Sequence, residues 1–115
     1  MPNERDLSPL AFLVAATLER YQASCDRLVE AWFDRSVCRI VNDELSQLQN
    51  LIAALPQLSA DMMEVLMRHA QLLRSLLRCE RPNPHAPMEV AALRTKHRSA
   101  VDAMHTKCLR LLEAN

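Results

Sequence analysis

A histidine and a cysteine near the end of the chain could bind a metal. His105 and Cys108 lie three residues apart, so a helix would present the imidazole and the thiol on one face. Both groups are ligands for Zn²⁺, and helical bundles can collect such ligands from facing helices. A structural zinc site needs about four ligands, and His97 or Cys25 could supply further ones to this pair. His97, His105 and Cys108 are therefore the candidate metal ligands, although we expect no resident metal or cofactor.

Two histidines, His69 and His97, occupy positions among apolar residues. An imidazole there could act as a proton switch or a base. A partly buried ring that donates to a carbonyl or carboxylate is the commoner arrangement, and we favour it. The chain has no glycine and so cannot match the His-x-x-Lys-Gly motif of phosphotransfer bundles. The paired Glu-x-x-His motifs of di-iron bundles and any nucleophile–base pair are also missing, so we expect no catalytic residues and no enzymatic activity.

Arginines and methionines of one predicted helix are the candidate interaction residues. Arginines with the spacing of Arg74, Arg78 and Arg81 could contact phosphates. The formal net charge is zero, however, and no aromatic platform for bases is present, so we favour a solvated face over nucleic-acid binding. Flexible methionine side chains suit adaptable protein surfaces. The candidate contacts for a protein partner are Met62, Met63, Met67, Arg74, Arg78 and Arg81.

The composition predicts an all-α protein. The 115 residues include no glycine and only four aromatic residues, whereas sheets depend on aromatic side chains and on turns that contain glycine. Leucine, alanine, methionine, arginine and glutamate, which favour helices, are abundant instead. The length suits one domain over residues 1–115. Hydrophobic periodicity and the prolines divide this domain into helices at approximately 8–34, 37–55, 59–80 and 87–113.

The connection between the first two predicted helices has two possible interpretations. The apolar stripe of the first helix runs from Val14 to Trp32. The seam predicted for the second helix lies about half a turn away from it, at Val37, Val41, Leu45, Leu48, Ile52 and Leu55. Either the chain turns near residues 34–36, or one long helix over 9–55 serves two chains of an interlocked dimer. We favour the turn, which gives an up-down-up-down four-helix bundle.

The third predicted helix is expected to be the central one. Between Met62 and Leu77 its apolar residues cover well over half of the helical circumference. An ordinary surface helix shows a narrower stripe, so this pattern predicts contacts with neighbours on two sides. The seam of the last helix is predicted at Leu93, His97, Val101, Met104, Cys108 and Leu111.

The sequence predicts a cytoplasmic protein without a membrane segment. The apolar run at 10–18 follows residues without net positive charge and is shorter than a membrane span. The four cysteines resemble no disulfide framework and are expected to be thiols.

These observations favour a small helical interaction module, either a regulator or a chaperone-like protein. It would act as a homodimer or with a protein partner. A carrier of a ligand or metal in the bundle core, and a weak nucleic-acid binder, are the alternative hypotheses.

Overall fold

A computed structural model describes residues 8–78 and 86–113, and nearly all of these residues are helical. The described part contains no β-strand, which confirms the all-α prediction. None of its helices combines the length with the apolar content that crossing a membrane requires. A short 3₁₀ turn at Pro56–Leu58 precedes the third helix. The helices are α1 (Ser8–Glu30), α2 (Arg35–Ile52), α3 (Ser59–Arg78) and α4 (Ala86–Glu113).

The first two helices are separate, as the favoured interpretation predicts. The backbone N–H of Phe33 donates to the carbonyl of Leu28, and that of Trp32 donates to the carbonyl of Val29. This is the Schellman pattern of a helix end, in which glycine usually adopts a positive φ after the last helical turn. The chain has no glycine, and Trp32 (53°) and Phe33 (74°) adopt positive φ instead. Asp34 then caps α2 by accepting from the Val37 N–H. The alternative of one long helix over 9–55 is therefore wrong, and α1 ends four residues before the predicted 34.

Polar contacts between helices define the directions of the chain. On α1 and α4, Glu19 approaches His105 and Asp26 approaches Arg94, so these helices are antiparallel. Ion pairs at the two ends of α3 and α4 show that they are antiparallel as well. The short turn makes α2 antiparallel to α1. The predicted up-down-up-down four-helix bundle is confirmed.

The predicted seams of α1, α2 and α4 form the core. Buried side chains recur every three or four residues along each of these helices, as a packed bundle requires. The seam residues at the ends of α4 are only half-buried. The buried seam residues are Val14, Leu18, Tyr21, Cys25 and Leu28 on α1, Val41, Leu45, Leu48 and Ile52 on α2, and His97, Val101, Met104 and Cys108 on α4.

The central position of α3 was a wrong prediction, because α1 is the more enclosed helix. The α1 helix packs extensively against both α2 and α4, whereas α3 packs extensively against α4 and only slightly against α2. The side of α3 that turns away from α4 and the core includes Met63 and Met67, which are 67% and 49% exposed. The wide apolar arc of α3 thus has two parts, of which one packs in the core and the other faces outward.

Candidate functional site

Four polar or sulfur-bearing side chains meet in the interior of the bundle. We call Tyr21, Cys25, His69 and His97 the core polar cluster. The Tyr21 hydroxyl oxygen lies 2.8 Å from His69 Nδ1 and 2.8 Å from His97 Nε2. Tyr21 and His97 are completely buried, Cys25 is 5% exposed, and His69 is half-buried. The cluster therefore links α1, α3 and α4 in a place that apolar residues otherwise fill.

Helix geometry explains how the cluster assembles. Tyr21 and Cys25 lie one turn apart on α1, so their side chains share a face. Because α4 runs antiparallel to α1, its seam brings His97 to the level of Tyr21. His69 follows the inward-facing Met62 and Val65 of α3 at helical spacing. The inward face of α3 is thus the part that reaches the cluster.

The hydrogen bonds determine which ring nitrogens carry protons. One hydroxyl proton can satisfy only one imidazole, so the other ring must donate an N–H to the Tyr21 oxygen. His97 Nδ1 is buried and has no hydrogen-bond partner within the described part of the chain. A buried acceptor without a partner is more common than a buried donor without one. The favoured arrangement therefore has Tyr21 donating to His69 Nδ1 and His97 Nε2–H donating to Tyr21.

Burial keeps every member of the cluster uncharged at neutral pH. Desolvation, together with the smaller effect of the neighbouring His69, lowers the pKa of His97 to about 4. Burial also lowers the pKa of His69. It raises the pKa of Cys25 to about 12 and raises that of Tyr21 well above its ordinary value. Neutral imidazoles are ready to act as metal ligands, whereas a protonated thiol is a poor nucleophile.

The potential metal ligands differ in part from those expected from the sequence. The ligand atoms of Cys25, His69 and His97 all lie within 4.8 Å of one another. Of the predicted candidates, His97 thus belongs to this group. His105 instead places Nε2 3.1 Å from Glu19 Oε2. Cys108 is completely buried in the α4 seam, where burial raises the pKa of its thiol to about 11.

A second candidate site is the outward face of α3. Six exposed residues repeat with spacings of three and four, as along one side of a coiled-coil helix. Leu66 and Leu73 lie beside them and are half-buried against the core. We call the exposed set the outer α3 seam, and it consists of Ala60, Met63, Met67, Ala70, Arg74 and Leu77.

The structure divides the predicted interaction residues between several environments. Met63, Met67 and Arg74 belong to the outer α3 seam. Met62 is only 4% exposed, so its prediction as a partner contact is wrong. It shares the inward face of α3 with Val65, which lies three residues later. Arg78 is exposed and bonds Glu89 of α4, whereas Arg81 lies outside the described residues.

Ion pairs along the edge between α1 and α4 occupy further arginines. Asp26 accepts from Arg94 at 2.9 Å, from Arg98 at 2.7 Å and from Gln22 at 3.1 Å. Burial alone would raise the pKa of Asp26, but the hydrogen bonds from the two arginines outweigh this effect and lower it. These arginines are therefore engaged within the bundle.

Sequence reasoning did not bring Tyr21 or His69 to a common site. The signal available was the presence of a phenol and an imidazole at seam positions of two different helices. That signal becomes specific only when the relative level of the helices is known. The expected carbonyl or carboxylate partner of each histidine is in fact the Tyr21 hydroxyl.

Comparisons with protein-family models, with curated proteins and with solved structures yield no match. The core polar cluster and the outer α3 seam are therefore the features from which we infer a function.

Proposed function

We propose that this protein is a small helical protein-interaction module, a regulator or chaperone-like protein, that pairs with a second copy through the outer α3 seam. The observation that carries the proposal is the coiled-coil spacing of exposed side chains on this one helix. Met63, Met67 and Leu77 are 67%, 49% and 45% exposed. Contiguous exposed apolar side chains of this kind mark interaction surfaces more often than scattered ones do.

The seam is complementary to itself when two α3 helices run antiparallel about a twofold axis. In that register, Ala60 faces Leu77 of the second copy, and Met67 faces Ala70. Each of these layers sets a large side chain against a small one, which is how helix interfaces fill space. The aliphatic stem of Arg74 covers Met63 in the remaining layer. A second copy is therefore the occupant that the seam fits.

Charge also supports this register. The antiparallel register places the Arg74 guanidinium opposite Glu64 of the second copy, so that opposite charges meet beside the seam. Glu64 lies on the Arg68 side of α3 and bonds Arg68 Nε at 2.7 Å. On the opposite flank, Leu66 and Leu73 of the two copies meet and extend the apolar contact. The interface would thus have one polar and one apolar border.

A reducing compartment such as the cytoplasm is part of the proposal. Within the described residues, Cys25, Cys38 and Cys108 are free thiols. Thiols persist where the cell keeps proteins reduced.

Sedimentation velocity over a range of concentrations tests the proposal. We expect the full chain to form a dimer and Met67→Glu to be monomeric, because the substitution buries a charge at the dimer axis. Met88→Glu is the matched control, since Met88 is 74% exposed on α4 and lies outside the seam. Both variants should retain the helical circular dichroism of the parent. A parent chain that stays monomeric, or a Met67→Glu variant that still dimerises, would contradict the proposal.

The register has its own test. Arg74→Glu should weaken the dimer because it places a carboxylate beside Glu64 of the second copy. Adding Glu64→Arg should restore the opposite charges and strengthen the dimer again. A double variant no tighter than Arg74→Glu alone would reject this register.

A further inference from the structure

We propose that Cys25, His69 and His97 bind a Zn²⁺ ion in the core of the bundle. The three side chains come from α1, α3 and α4, and their ligand atoms lie within 4.8 Å of one another. Two imidazole nitrogens already converge on one point, the Tyr21 oxygen, from 2.8 Å each. This site is separate from the outer α3 seam, so it is independent of the proposed self-association.

The ligand atoms need to move only a short distance towards one another to bind a Zn²⁺ ion. A tetrahedral Zn²⁺ ion with ordinary bond lengths holds nitrogen and sulfur ligands about 3.3–3.6 Å apart. Since the present separations are at most 4.8 Å, the contraction is about 1.5 Å at most. A cavity of about 10 Å³ adjoins Cys25 and His69. This volume is close to that of a single bound water, so space for an ion exists beside two of the three ligands.

The chemistry of the ligands favours Zn²⁺. One thiolate and two imidazoles suit a borderline-soft cation, whereas Mg²⁺ and Ca²⁺ prefer oxygen ligands. On binding, the Cys25 thiol loses its proton to solvent and becomes the thiolate ligand. Metal binding requires the proton of His97 to move from Nε2, where the hydrogen bonds favour it in the metal-free protein, to Nδ1, so that Nε2 can bind the ion. The Tyr21 oxygen, next to both imidazoles, is available as the fourth donor.

The composition of this cluster distinguishes it from ordinary core packing. Tyr21 and His97 are completely buried and Cys25 is 5% exposed, in a place that apolar residues otherwise fill. A second histidine and a cysteine beside His97 are typical of a ligand set.

Co²⁺ titration of the metal-free, reduced full chain tests the site. Co²⁺ takes the same tetrahedral ligands as Zn²⁺ and absorbs light. We expect visible bands of tetrahedral Co²⁺ and a near-ultraviolet thiolate-to-Co²⁺ band that saturate at one equivalent. Zn²⁺ should then remove both bands, and it should raise the midpoint of thermal unfolding. Absence of the thiolate band, or binding without any thermal shift, would overturn the proposal.

Matched variants assign the ligands. Cys25→Ser should lose the thiolate band, whereas Cys108→Ser should retain it, because that cysteine is equally buried in a different part of the core. His69→Gln should weaken Co²⁺ binding by at least about tenfold. Because His69 is only half-buried, this variant remains informative if Cys25→Ser fails to fold. His105→Gln is its control and should bind like the parent. A thiolate band that persists in Cys25→Ser, or His69→Gln that binds like the parent, would reject these ligands.

Discussion

The Tyr21 hydroxyl lies 2.8 Å from His97 Nε2, with both side chains completely buried, so one hydrogen bond joins α1 to α4 inside the apolar core. The same hydroxyl also reaches His69 on α3. A buried polar group contributes little net stability when it is paired, but it is costly when its partner is removed. The core polar cluster therefore favours the observed axial register of α1 relative to α4 over registers shifted along the helix axis.

Removing the hydroxyl should expose this cost. Tyr21→Phe leaves both imidazoles without their shared partner in the core. We expect the free energy of unfolding to fall by about 1–3 kcal/mol. Urea unfolding of the metal-free protein, followed by circular dichroism, measures this change.

A control for Tyr21→Phe is available on the same helix. Thr17 is also buried, and its hydroxyl accepts from Arg20, whose exposed side chain can bind water instead. Thr17→Val should therefore cost less, about 1 kcal/mol or below. If Tyr21→Phe costs no more than Thr17→Val, the hydroxyl is not important to the core.

Stability of the metal-free protein should fall as the solution becomes acidic. The pKa of His97 is about 4 in the folded protein, against 6.5 for an unperturbed histidine, because burial disfavours the charged ring. Between these values the unfolded chain binds more protons, so stability is lost as the pH falls from about 6.5 to about 4. The loss from His97 should approach about 3 kcal/mol. His69 acts in the same direction, because burial lowers its pKa too.

The charged neighbours do not reverse this trend. Asp26 raises the pKa of His97, but burial, His69 and Arg98 lower it. Cys25 and Tyr21, whose pKa values are raised, remain neutral throughout this pH range. Urea unfolding at several pH values measures the dependence. His97→Leu should make it shallower, and an equally steep dependence in that variant would assign it to other groups.

The sequence was sufficient to predict the helices and most of the core. Hydrophobic periodicity identified the buried faces of α1, α2 and α4, because apolar residues recur at helical spacing along one face of each. The change of phase in the apolar stripe located the turn near residues 34–36, although no glycine or proline lies nearby. Periodicity could not show that α3 uses only part of its apolar arc for packing. The sequence pattern around a residue such as Met63 is the same whether its side chain lies in a core or on an interaction surface.

The core polar cluster could be predicted only in part. The sequence indicated that Cys25 and His97 were possible ligands, since both lie on seams. It could not place His69 beside them, because the axial position of α3 relative to α1 depends on connections and packing along the whole chain. His105 and Cys108 are close in sequence, but they occupy different environments, one beside Glu19 and the other in the core.

The two sides of α3 should respond differently to truncation. Leu72 is 5% exposed and lies in the core, so Leu72→Ala should reduce the free energy of unfolding by about 2–5 kcal/mol. Leu77 belongs to the outer α3 seam, and Leu77→Ala should cost less than about 1 kcal/mol in the monomer. The comparison is made by urea unfolding of both truncations in the Met67→Glu background, at a protein concentration where that background is monomeric. Equal losses at the two positions would show that the outward side of α3 is also packed.

Asp26 should contribute a smaller, salt-dependent stabilisation. Its carboxylate accepts from Arg94 and Arg98 of α4 and from Gln22 of its own helix, but the side chain is 30% exposed. Asp26→Asn should therefore cost only about 1 kcal/mol at low salt, and less at high salt, where ions screen the pair. Asp43→Asn, at an exposed position on α2, is the control and should change stability by less than about 0.5 kcal/mol. The free energy of unfolding, measured in urea at low and high salt, tests this expectation. A loss of stability in Asp26→Asn that is the same at both salt concentrations would mean that Asp26 stabilises the bundle through packing against α4 instead of through charge.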